Sequence, residues 1–158
     1  MLHDIIRNSR LAQMVSVDEM VALTGINKPS YYDLEAYPDE CIYVIDLLEL
    51  FIIFHHLQIN PFYALPDAVQ AERKPESFST IRNELLIASD GGNPDKIRIL
   101  EELLNYDIAE LLKNERGWLH RNLESLMVFS AHFNLDYVSV FANEFEYWKN
   151  ECWQTKSG

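Results

Sequence analysis

An all-α fold follows from three features of this 158-residue sequence. Apolar residues recur at helical spacing through most of its length, candidate helix starts carry Ser, Asn or Asp caps, and several place proline in the first turn. No extended alternating run with hairpin-type dipeptides appears, so the pattern predicts at least eight helices and no sheet of three or more strands. With 48% hydrophobic residues the chain can bury a substantial core, and nothing in its composition points to disorder.

The N-terminal elements read in order. Ser16 can cap a helix whose inner side carries Met20, Val21 and Thr24. Gly25 ends that helix, because glycine tolerates the left-handed backbone that a sharp interhelical turn needs, and Ile26 can plug the angle behind it. Asn27 caps the next helix, Pro29 suits its first turn, and Tyr31 and Leu34 point inward. Tyr37-Pro38-Asp39-Glu40 reads as a loop, and the apolar run Ile42–Leu57, interrupted by Asp46 and Glu49, reads as a central helix starting near Val44.

These residues resemble the Cro/repressor-type (Xre-like) helix-turn-helix family. Its pattern is Ser-x-x-x-Leu-Ala-x-x-x-Gly-Val-Ser followed by a recognition helix ending in Ile-x-x-Ile-Glu, and Ser16, Met20, Val21, Gly25, Ile26, Asn27, Tyr31, Leu34 and Glu35 occupy the matching places. The family continues with a loop, a fourth apolar helix and a Leu-Gly-Val-x-x-x-x-Leu ending, which Val44–Leu57 and Leu57–Leu65 fit, so the resemblance covers about residues 3–65. It implies a lambda-repressor-like bundle in which Glu35 braces the first helix through Arg7 or Arg10. The departures fall where DNA contacts would lie: Val17 replaces the usual Gln, Tyr37 replaces the usual Gly, and the outward recognition-helix residues are Lys28, Pro29, Tyr32 and Asp33.

Residues 67–76 read as a Pro-bounded polar linker, and 77–158 as a second helical bundle packed on the first. Ile81, Leu85, Leu86 and Ala88 predict a helix over about 77–89, stopped by Asp90-Gly91-Gly92-Asn93. Pro94 opens the next, with Ile97, Leu100, Leu103 and Leu104 inward. Asp107 caps a short helix through Leu112, which Arg116-Gly117 breaks. Leu123, Leu126, Met127, Phe129 and Phe133 mark a longer helix, and the last begins near Asp136, with Phe141, Phe145, Trp148 and Cys152 on one side. Asp46–Leu65 and Asn122–Phe141 echo each other at an offset of 76 residues. Because the echo fades elsewhere, it reads as convergence on a common helix–helix corner rather than a duplicated domain.

Charge sets the functional expectation. The chain carries a net −12, and residues 1–66 hold nine carboxylates against Arg7, Arg10 and Lys28. DNA affinity rests on Lys and Arg contacts to phosphates, with a basic patch as its footprint. An acidic chain of this kind is expected to be a protein-binding inhibitor of the antitoxin or immunity-protein type, neutralising a basic partner such as a nuclease toxin. Tyr32, Asp33, Tyr37, Asp39 and Glu40 are the candidate protein-binding residues, since tyrosines ringed by acids suit a basic protein. The alternative is a DNA-binding transcriptional regulator using Asn27, Lys28, Ser30 and Tyr32. No nucleophile elbow, phosphate-cradling loop or metal spacing among the His and Cys residues is visible, so neither catalysis nor a metal or other cofactor is expected. No signal peptide or span-length apolar run appears, which predicts a cytoplasmic protein that stays off the membrane, with Cys41 and Cys152 as free thiols.

Overall fold

A computed structural model of the chain describes residues 1–66, 73–77 and 79–153, and the regular elements among them are all helical. The α-helices are α1 (Leu2–Ala12), α2 (Val17–Thr24), α3 (Lys28–Ala36), α4 (Leu47–His56), α5 (Pro61–Ala64), α6 (Ile81–Ala88), α7 (Pro94–Leu104), α8 (Ile108–Lys113), α9 (Leu123–His132) and α10 (Tyr137–Tyr147). A π-helical turn (Glu40–Val44) precedes α4, a 3-10 turn (Glu115–His120) precedes α9, and a π-helical segment (Trp148–Trp153) extends α10.

The local signals of the first three helices act as their chemistry dictates. Ser16 Oγ accepts from the Glu19 N–H at 3.0 Å and Asn27 Oδ1 from the Ser30 N–H at 2.9 Å, satisfying amides that no helical carbonyl can reach. Gly25 closes α2 at φ 76°, in the left-handed region. Met20, Tyr31 and Leu34 are fully buried and Ile26 nearly so, which fastens α2 against α3. Arg10 reaches from α1 to Glu35 on α3 in a two-pronged pair at 2.6 and 2.9 Å, whereas Arg7 bonds Asp4 within its own helix at 2.9 Å.

The apolar run at 42–57 corrects one expectation. The helix begins at Leu47 rather than near Val44, because Asp46 and Glu49 form a capping box. Asp46 Oδ1 accepts from the Glu49 N–H at 2.8 Å, and Glu49 Oε1 accepts from the Asp46 N–H at 3.3 Å. The two carboxylates that interrupt the apolar run are therefore the start of the helix. Ile42, Tyr43 and Val44 belong to the π-helical turn, with Tyr43 and Val44 exposed.

α4 supplies the centre of the core. Leu47, Leu50, Phe51, Ile53 and Phe54 are buried on it, and the Phe51 ring lies 5.0 Å from Phe141 and 5.8 Å from Trp148. Phe54 lies 5.3 Å from Phe141, so one apolar core continues from α4 into α10. Truncating such a phenylalanine costs about 3–5 kcal/mol in lost transfer energy and cavity formation.

Later elements shift in detail. α6 starts at Ile81 because Thr80 caps it, and on α7 the buried residues are Leu100 and Leu104, leaving Leu103 60% exposed where an inward position was expected. The predicted linker falls largely outside the described residues, at 67–72, while Arg73 exchanges backbone hydrogen bonds with Asn134 and Asp136 beside the start of α10. Cys41 is buried with its thiol free, and the Cys152 side chain lies outside the described residues.

Candidate functional site

The candidate surface runs along α3 and the segment after it. Helical spacing turns Tyr31, Leu34 and Glu35 inward, which leaves Tyr32 (52% exposed) and Asp33 facing out. The chain then straightens at Tyr37, 58% exposed, whose N–H still donates to the Asp33 carbonyl at 2.8 Å. Asp39 is exposed, and Glu40 is half-buried at the head of the π-helical turn. Beneath α3, the buried Cys41 thiol donates to the Leu34 carbonyl at 3.5 Å and holds that turn in place. Burial pushes this thiol's pKa up to about 12, so it stays protonated.

Electrostatics separates the acidic groups that are already paired from those that are not. Arg10 neutralises Glu35, and that bond raises the guanidinium's pKa further. Glu19 Oε1 lies 3.1 Å from His56 Nε2. Lys28 Nζ lies 2.7 Å from Asp18 Oδ1, a contact that raises the lysine's pKa and engages the one cation of the α2–α3 corner. Asp33, Asp39 and Glu40 have no ion-pair partner among the described residues. They offer carboxylate oxygens to solvent between half-exposed tyrosines that combine apolar area with a hydroxyl.

The DNA-binding set fares differently. Asn27 uses its side-chain oxygen as a helix cap, Lys28 is paired with Asp18, Ser30 is half-buried, and Tyr32 alone among the four stands exposed without such an engagement. Sequence reasoning missed the Lys28–Asp18 pair, a contact between helices that no local pattern signals. It also placed Val44, 62% exposed, in the buried helix, although the Asp46–Glu49 spacing carries the capping signature that would have moved the boundary.

Among the described residues no cluster of three His, Cys, Asp or Glu side chains could hold a metal ion, and no helix is long and apolar enough to cross a membrane. The histidines serve separate contacts. His120 Nδ1 lies 3.6 Å from Asp46, and His55 has its pKa lowered by burial and by the nearby Lys149 charge. No known protein family, curated protein or solved structure matches this chain.

Proposed function

We propose that residues 3–65 form a Cro/repressor-type helix-turn-helix bundle whose α2–α3 corner binds a basic protein instead of DNA. In this reading the chain is a cytoplasmic inhibitor of the antitoxin or immunity-protein kind, and its partner is a basic protein such as a nuclease. The observation that carries the reading is the charge state of the corner: its single lysine is held by Asp18, while Asp33, Asp39 and Glu40 have no ion-pair partner among the described residues and stand beside Tyr32 and Tyr37. A nuclease presents a basic cleft to phosphates, and an acidic surface fits the same field. Half-exposed tyrosines suit such a contact because they bury large area with few rotatable bonds.

The test is coexpression with the product of the neighbouring gene, followed by calorimetric titration of Tyr32→Ala, Asp33→Lys and, as a remote control, Glu102→Lys. Tyr32→Ala is expected to weaken the complex by about 2 kcal/mol, as for an interface anchor. Asp33→Lys is expected to slow association and alter its salt dependence, while Glu102→Lys binds like the parent. Folded Tyr32 and Asp33 variants that bind like the parent would rule out this corner.

A further inference from the structure

Each α-helix of residues 2–64 has a counterpart within 81–147, in the same order. α4 and α9 both have ten residues and begin 76 positions apart, each behind a capping side chain, Asp46 or Asn122. Each is followed by a left-handed residue, Gln58 or Asn134, both at φ 54°. The ends of α1 and α6 match too. Met14 (φ 55°) and Asp90 (φ 50°) are again 76 apart, and the bonds from Val15 N–H to Arg10 O and from Gly91 N–H to Leu86 O close equivalent turns. The α2–α3 corner turns on Gly25 with Asn27 as the next cap, and the α7–α8 corner turns on Asn105 (φ 54°) with Asp107 as the next cap. Non-glycine residues rarely adopt positive φ, so its recurrence at equivalent places is strong evidence of a shared plan. The sequence echo fades between these points because α7 has eleven residues where α2 has eight, with Gly92 inserted before it.

Packing repeats as well. α3 rests on α1 and α2, and α8 rests on α6 and α7. Across the middle the contacts are reciprocal: α4 touches the 3-10 turn before α9, while α9 touches the π-helical turn before α4. The equivalent residues Asp46 and Asn122 meet in antiparallel pairing, and the equivalent helices α5 and α10 pack together. Equivalent groups meeting each other mark a two-fold axis.

We infer that the chain is an internal duplication, a fused pseudo-dimer of two five-helix units, and that the central face of each unit is a self-complementary surface whose occupant is a second copy of the unit, supplied in the same chain. This replaces the reading of the echo as convergence. The comparison of units also separates what the fold needs from what it does not. Tyr31 and its counterpart Leu111 are both buried, but Tyr32 and Asp33 correspond to Leu112 and Lys113. Tyr32 and Asp33 therefore have no like counterpart in the second unit.

Two-fold symmetry makes a reciprocal demand. His120 lies beside Asp46, so Val44, its equivalent, must lie equally close to Asn122. The full chain in a Cys41→Ala, Cys152→Ser background is prepared with either His120→Cys and Asp46→Cys or Val44→Cys and Asn122→Cys. A third form carries the second pair in a permuted order, residues 77–158 ahead of 1–66 through a flexible linker. All three are expected to form an intrachain disulfide with the parent's helical circular dichroism. Cross-linking of the first pair alone, or a folded permutant that does not cross-link, would overturn the inference; should the permutant fail to fold, the two pairs in native order decide it.

Discussion

Arg10 and Lys28 are two of the three basic side chains in the first 66 residues, and both are taken up by carboxylates. The Arg10–Glu35 pair is nearly buried, so removing one partner strands the other in a poorly solvated site. Arg10→Ala is expected to lower stability by about 3 kcal/mol or more in urea denaturation. A loss under about 1 kcal/mol, typical of exposed pairs, would show that the brace is effectively solvated. A brace at Glu35 was an implication of the family resemblance, and spacing left Arg7 and Arg10 equivalent as its partner. Packing separates them, because Arg7 turns back to Asp4 while Arg10 also donates to the Val15 carbonyl at 3.0 Å. The Lys28–Asp18 pair was illegible for a different reason: the two residues sit on different helices ten positions apart.

Capping chemistry governs the elements more than apolar content does. Ser16, Asn27, Thr80, Asn93, Asp107 and Asn122 each accept a first-turn amide hydrogen, and Ser16, Asn27 and Asp107 were read as caps from residue type and position. The error at α4 came from weighing apolarity above the Asp-x-x-Glu spacing. The consequence reaches the candidate site, since it moves Val44 from a buried helix into the exposed turn that holds Tyr43 and follows Tyr37. Asp46→Ala removes both the cap and its share of the box, so a loss of about 1 kcal/mol in chemical denaturation is expected. An unchanged midpoint would mean that the helix start is held by the Leu47 N–H bond to the Arg121 carbonyl, 2.8 Å long, without help from the side chain.

For the whole molecule, the all-α class was legible because helical periodicity accumulates over many turns. The relation between the halves was only half-legible, because three extra residues in α7 and the insertion at Gly92 break the register that a fixed offset depends on. Net charge was legible throughout, and it bears most heavily on the choice between protein and nucleic acid: α2 and α3 meet at a sharp turn on Gly25, but the one cation on α3 is paired with Asp18. The most direct measurement is fluorescence anisotropy of labelled duplex DNA, random and operator-like, titrated with the full chain at ~50 and ~150 mM salt. No saturable complex is expected below roughly 10 μM at either salt, since too few phosphates can be neutralised to hold the duplex. A sub-micromolar complex whose affinity collapses between the two conditions would contradict it, because only several simultaneous phosphate contacts produce that dependence.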